Sequence, residues 1–433
     1  MNKKLRNYGV SAYELLKKLF PITRSLTGNG VRETLRIIQK SIPISINEIK
    51  SGYKAFDWVV PDEWNIKDAF VMNPKGEKII DFNKNNLHVL YYSTPFNGSL
   101  DLSDFKKKIY TIPEKPDLIP FVASYYHKNW GICMSHNQMQ SLEEGQYQIT
   151  IDSDLSPGVL NYGEVILKGK SKKEIFLSTY ICHPSLANDN LSGVVVLTKL
   201  VEYLLSLKKR YYTYRIIFIP ETIGALVYMS KNLPKMKKNI IAGYTITCVG
   251  DEGNLSYLKS KNENQYVDKI SMNILNFLDK NFKNYDFIAR GSDERQYSSV
   301  GADIPIGSIM KSKYHEYKEY HTSADNLDFV TSKGLNESIN AYKKCIDAYE
   351  NNNFYISTIV GEPQLSKRNL YPKEFQINQS ADINRILDFL TYADGINDLI
   401  DISNKINTPI WELYDIVKIL LSHKLIKKLE AKF

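Results

Sequence analysis

Between about residues 158 and 350 the sequence alternates apolar runs of strand length with longer runs of helical period. EVILKG and EIFLSTYI read as strands and VVVLTKLVEYLL as a helix. YRIIFIP precedes the helical ALVYMSKNL, and IIAGYTITCVG precedes YVDKISMNILNFLDKNF. Strands apolar on both faces need cover on both faces, and helices between them supply it. The pattern therefore predicts an α/β fold with a mostly parallel, mixed sheet flanked by helices.

The flanking segments read differently. Two amphipathic helices, SAYELLKKLF and GVRETLRIIQKS, bracket the turn-rich loop PITRSLTGNG. Short alternating runs (AFVMN, KIIDF, LHVLYYS, WGICMS, YQITID) with turn residues between them predict a small all-β unit. A turn-rich connector, GEPQLSKRNLYPKE, leads into the helical patterns INRILDFLTYA, LIDISNKIN and PIWELYDIVKILLSHKLI. The expected organisation is one α/β domain over 1–55 and 158–360, a β domain inserted at 56–157, and a terminal domain at 370–433.

At 433 residues the chain is long enough for two or three such domains. Its net charge of +8 comes from lysines in short runs interleaved with acids, which reads as a solvated basic surface rather than a nucleic-acid footprint. Cys133, Cys182, Cys248 and Cys345 lie far apart and suggest neither a disulfide framework nor a zinc knuckle. With no signal-peptide pattern and no apolar run of membrane-spanning length, a reduced, cytoplasmic protein with no membrane association is expected.

In open α/β sheets ligands collect at the carboxyl ends of the strands. Those ends carry His183 after EIFLSTYI, Glu221 after RIIFIP and Asp251 after TITCVG. Asp189 sits in the loop after His183, and His321 lies further on in EYHTSADNLD. A lone histidine at a strand end is ordinarily structural. Two imidazoles and three carboxylates gathered at one edge make a ligand set for a zinc-type ion.

The order His, Asp, Glu, Asp, His resembles the zinc exopeptidases that include bacterial leucyl aminopeptidase and glutamate carboxypeptidase. DNLSG is similar to their bridging-aspartate turn, ETIG to their general-base segment, SDERQYSSVGADIP to their S-D-H stretch and YHTSADNLD to their final motif. The spacing agrees: 32 residues from Asp189 to Glu221, 30 more to Asp251 and 70 more to His321. The whole chain resembles more closely a bacterial group of polysaccharide-biosynthesis proteins with an aminopeptidase-like domain. The matching stretches are FPITRSLTGNGVRETL, CHPSLANDNLSG, PETIGA, GSDERQY and EPQLSKRNLYP.

The first resemblance implies the phosphorylase/hydrolase-like zinc exopeptidase fold. It implies one or two zinc ions, with His183 and Asp251 on one, His321 on the other and Asp189 shared. Glu221 would be the general base, and the Asp189–Asn190 peptide bond would be cis. The closer group implies the β insertion, a C-terminal winged helix and a place in surface polysaccharide biosynthesis. Three departures stand out. Thr222 occupies the position of a second, metal-binding glutamate, with Glu252 a candidate to compensate. His183-Pro184-Ser185 lacks the carboxylate that would orient the imidazole, and the interval from His183 to Asp189 is short. Arg295 replaces a histidine, either ion-paired at the surface or anchoring a carboxylate or phosphate of the substrate.

Asp293 is expected to order its loop. Arg24 and His127 are candidate substrate contacts, although a structural role suits His127 and Trp130 better, and His315 reads as surface. Cys182 reads as core rather than nucleophile, since neighbours on a strand face opposite ways. The helix PIWELYDIVKILLSHK carries Trp, Leu, Tyr and Ile with Glu412 and Asp415 near its start. That suits protein packing, including homo-oligomer formation, better than a DNA groove. Two functions follow from the sequence: a zinc-dependent hydrolase of an amide bond near a charged terminus, or a catalytically reduced scaffold binding a peptide-like or amino-sugar ligand.

Overall fold

The computed structural model describes residues 8–368, 370 and 377–429. Residues 1–7, 369, 371–376 and 430–433, among them 369 and 371–374 of the expected connector, lie outside them. The chain divides into two units, residues 1–263 with 283–339 and residues 264–282 with 340–433.

The first unit is built on an eight-stranded mixed sheet. Its order is Ser45–Lys50, Val159–Leu167, Thr213–Ile219, Glu174–Tyr180, Ile240–Thr245, Ile306–Met310, Ser256–Leu258 and Lys283–Tyr285. The four strands from Thr213–Ile219 to Ile306–Met310 run parallel, and antiparallel strands extend the sheet on both sides. Every residue of Glu174–Tyr180 and Thr213–Ile219 is buried, as the uninterrupted apolar runs predicted. Within that layer Arg215 donates to Glu174 at 2.5 and 3.0 Å and to the Tyr228 hydroxyl at 2.6 Å, so the one buried cation there has its partners. The helices Gly193–Ser206 and Ile223–Asn239 follow the two central strands, and each begins just past a residue of the candidate site.

The insertion forms a four-stranded antiparallel sheet, Lys78–Asp81, Glu63–Met72, Gln146–Ser156 and Phe96–Asp101, over its own apolar cluster. The run LHVLYYS, expected as a strand, forms a short helical turn (Asn86–His88) and isolated bridges instead. Its tyrosines leave that small sheet for the larger core, where Tyr91 and Tyr92 pack on Trp64 at 5.2 and 5.7 Å.

The second unit contains a three-stranded antiparallel sheet, with Phe354–Ser357 between Asp394–Asp398 and Ile426–Lys428, and the helices Ile377–Tyr392, Leu399–Lys405 and Ile410–Ser422. This is the winged helix. Its first strand, Phe354–Ser357, lies ahead of the connector. The helix Tyr266–Leu278 also belongs to this unit, where Phe277 meets Trp411 at 6.2 Å and Asn273 donates to Ser403. Among the described residues no helix is long and apolar enough to cross a membrane.

Glu63 joins the N-terminal helix to the insertion. Its carboxylate takes Arg32 at 2.5 and 3.1 Å and the Val159 N–H at 2.9 Å. Burial would raise this carboxyl, but the Arg32, Val159 and Asn65 hydrogen bonds outweigh it and hold it at about 2. A depressed carboxyl adds stability above its unfolded value and loses it as pH falls towards the folded one. Glu63→Gln should therefore cost about 1–2 kcal/mol at pH 7, after discounting for solvent screening. In denaturant melts the difference from wild type should shrink steadily between pH 5 and pH 2.

Candidate functional site

Strand register sets the site. Tyr180 pairs with Ile219 at the carboxyl edge, so His183 and Glu221, three and two residues further on, emerge side by side. His183 Nε2 lies 4.0 Å from Glu221 Oε2 and 3.8 Å from Asp189 Oδ2. His321 Nε2 lies 2.9 Å from the same Asp189 oxygen. His183, Asp189 and His321 thus offer three donor atoms all within 4.8 Å of one another, the separation a single ion requires.

Asp189 is held by a turn that the sequence does not advertise. Asp325, fully buried, accepts the backbone N–H groups of Asn188 (2.6 Å) and Asp189 (3.0 Å) together with the Tyr317 hydroxyl (3.2 Å). The Asp189–Asn190 peptide is cis, as the resemblance implied. The other Asp189 oxygen, Oδ1, accepts the hydroxyl of Tyr180, which is itself 2.7 Å from Thr247 Oγ1. Asp325 lies inside YHTSADNLD and Tyr180 inside YICHP, but nothing in a residue string shows which backbone N–H groups a carboxylate will meet.

Burial lowers the His183 imidazole to about 4, which leaves it neutral, the form that coordinates a metal. Burial alone would raise Asp189. The two imidazoles and the Tyr180 hydroxyl outweigh that and bring it to about 2. Glu221 goes the other way: desolvation, then repulsion from Asp293 and Asp189, pushes it well above the usual carboxylate range. Asp293 is pushed up by burial to about 7.

Several expected site residues have other work. Asp251 does not join the cluster. Its two oxygens take Asn188 Nδ2 (3.1 Å), Gly253 N (2.7 Å), Ser312 N (3.1 Å) and Ser312 Oγ (2.8 Å), so it ties loops together. Glu252 is exposed and pairs with Lys333 at 3.1 Å, so it does not compensate for Thr222. His127 sits on an exposed turn closed by Ser124, and Trp130 stacks on Phe96 at 3.9 Å. His315 is exposed, with its ring 4.7 Å from Tyr320.

Arg24 is buried and is no substrate contact. It donates to the carbonyls of His183 (2.9 Å), Pro184 (2.6 Å) and Leu19 (2.6 Å), fixing the bend that carries His183. Cys182 is core, as expected, but not by strand alternation. The strand has ended, and the thiol lies 3.6 Å from His183 Nδ1 and accepts the Glu221 N–H.

Thr222 has φ of 60°, a conformation costly for a β-branched residue. Asp293 accepts its N–H at 2.7 Å and Arg295 donates to its hydroxyl at 3.0 Å, which together hold it there. The insertion closes one side of the site. Phe121 N donates to His321 O at 2.8 Å, and the Phe121 ring lies 5.3 Å from His183 and 5.2 Å from His321.

Residues 13–352 match the family described as domain of unknown function DUF4910, and residues 353–428 match a winged helix-turn-helix family. A Clostridium acetobutylicum protein named "Putative polysaccharide biosynthesis protein with aminopeptidase-like domain" is 44% identical over 414 residues, covering 94% of each chain. A crystal structure described as a "putative peptidase" from Clostridium acetobutylicum shares 43% identity with a TM-score of 0.91, over 97% of this chain and 96% of that one. A Bacillus subtilis zinc aminopeptidase aligns with a TM-score of 0.57 at 13% identity, over 80% of this chain and 96% of that one. At that identity the likeness is one of fold: the α/β unit has an aminopeptidase-like scaffold.

Because Arg24 satisfies three carbonyls, Arg24→Met should lower stability by about 3 kcal/mol, the cost of leaving buried acceptors unpaired. Thermal melts should show it with no ligand present, whereas loss of a mere substrate contact would leave the melt unchanged.

Proposed function

The chain belongs to the DUF4910 family, and from that premise we propose that it is a metal-dependent hydrolase that cleaves an amide bond. One observation carries the reading: His183, Asp189 and His321 converge with Glu221 at 4.0 Å from the His183 nitrogen. The donor set fits a zinc-type ion, with two nitrogens, one carboxylate oxygen, a neutral His183 and an ionised Asp189. A bound ion would supply Lewis acidity, which lowers the pKa of water towards 7.

The remaining chemistry belongs to this chain. Glu221 accepts the proton of the attacking water at its carboxylate and returns it to the leaving amine. Desolvation and the neighbouring acids raise its pKa, which makes it a stronger base than an ordinary carboxylate. Phe121 and the buried Tyr180 keep bulk water from two sides of the cluster. Arg295, exposed beside Thr222, offers a guanidinium to a carboxylate or phosphate at the end of the substrate. Thr222 in place of a second carboxylate, and the relative named for polysaccharide biosynthesis, support a second reading: a binding site for a peptide-like or amino-sugar ligand with little turnover.

Aminoacyl-anilide hydrolysis separates the two. Glu221→Gln should lower kcat by about 10²–10⁴-fold while the fold is kept. A wild type inactive on every anilide even with zinc or manganese added would favour the binding reading. Glu221 must be ionised to accept a proton, so kcat/KM should fall as pH drops through its raised pKa. Asp293→Asn removes a negative charge that favours the protonated form. That limb of the profile should then move to lower pH.

A further inference from the structure

We infer that the cluster is built for one metal ion, with the place of a second ion taken by neutral hydroxyls and a guanidinium. This rests on the metal-dependent reading above and deepens it. A carboxylate that bridges two ions, about 3.5–4 Å apart, presents one oxygen to each, and each ion has its own further ligands. Here both imidazoles face one oxygen, Asp189 Oδ2, at 2.9 Å from His321 and 3.8 Å from His183. Bonds of about 2.0 Å in a tetrahedron put neighbouring ligands about 3.3 Å apart, so these three atoms suit a single ion with its fourth position open.

The other side of Asp189 is closed. Oδ1 accepts the buried Tyr180 hydroxyl, and Thr247 Oγ1 stands behind that hydroxyl at 2.7 Å. Neither is an anionic ligand. Glu221 groups with Cys182 and His183, but that group shares its one imidazole with the first cluster, and the other carboxylates that a second ion would need are absent or engaged. Asp251 is occupied by four hydrogen bonds from Asn188, Gly253 and Ser312. Thr222 replaces the expected glutamate, and its hydroxyl accepts from Arg295, whose positive charge opposes a second cation at that side chain. Three independent features therefore close the second position: the hydroxyl pair, the engaged Asp251 and the Thr222–Arg295 contact.

The test is metal counting, independent of catalysis. Full-length protein purified without chelator would be assayed by elemental analysis, and the chelator-stripped protein titrated with Zn²⁺ by calorimetry. One ion per chain is expected. His183→Ala and His321→Ala should each abolish it, because both imidazoles serve the same ion. Tyr180→Phe should weaken binding about 10–100-fold without changing the count, as loss of a hydrogen bond to a ligand does. Two ions per chain in the wild type would overturn the inference and leave the metal-dependent reading standing. One ion retained at full affinity in either histidine variant would also overturn it, since each imidazole would then serve its own ion. No binding by the wild type would sink both. The wild-type count needs no variant, so a variant that fails to fold leaves the test intact.

Discussion

Two hydrogen bonds from consecutive backbone N–H groups to the Asp325 carboxylate fix everything at the carboxyl edge of the sheet. They place Asp189 where one of its oxygens faces two imidazoles and the other faces a phenol. Without that clamp the turn between His183 and the helix Gly193–Ser206 has no reason to return its carboxylate to the strand end. Arg24 does the same for the preceding bend, by gripping the carbonyls of His183 and Pro184. Two buried side chains, Asp325 and Arg24, thus set the position of the groups that would touch a ligand.

The electrostatic consequence is a site divided into two halves. Around Asp189, imidazoles and a hydroxyl hold a carboxylate ionised. Around Glu221, burial and two neighbouring acids favour the protonated form, and they outweigh Arg295 and the Ser292 hydrogen bond. Residues of one chemical type thereby acquire different proton affinities within a few ångströms, the arrangement in which one group binds a cation and another moves protons.

Much of this was legible in the sequence. The apolar runs at Glu174–Tyr180 and Thr213–Ile219 could only be doubly covered strands, and their ends had to carry His183 and Glu221 to one edge. Asp251 misled because spacing along a chain counts residues and is blind to the direction of a loop. After Val249 the chain turns so that Ser312 and Asn188 claim the carboxylate. The strand-alternation argument for Cys182 failed for a similar reason, since alternation ends where the strand does. The roles of Asp325, Tyr180 and Arg24 were invisible because their partners are backbone groups or side chains brought together only by folding. The run LHVLYYS has the composition of a strand, but its tyrosines gain more by packing on Trp64 in the larger core.

The segment of the insertion around Phe121 also bears on the order of events during synthesis. Ile119 and Ser323 are joined across 204 positions of sequence, and Arg24 reaches Pro184 across 160. These two contacts therefore close between parts of the chain made far apart in time. While the ribosome is still completing the α/β unit, the N-terminal loop, the insertion and the first strand ends are present but their last partner is not. Closure of such distant pairs is slow and comes late, after local helices and hairpins have formed. The nascent protein thus grows by 132 residues, from 189 to 321, with His183 and Asp189 made but His321 missing. The set of three donor atoms from His183, Asp189 and His321 is complete only once the His321 loop docks against Phe121.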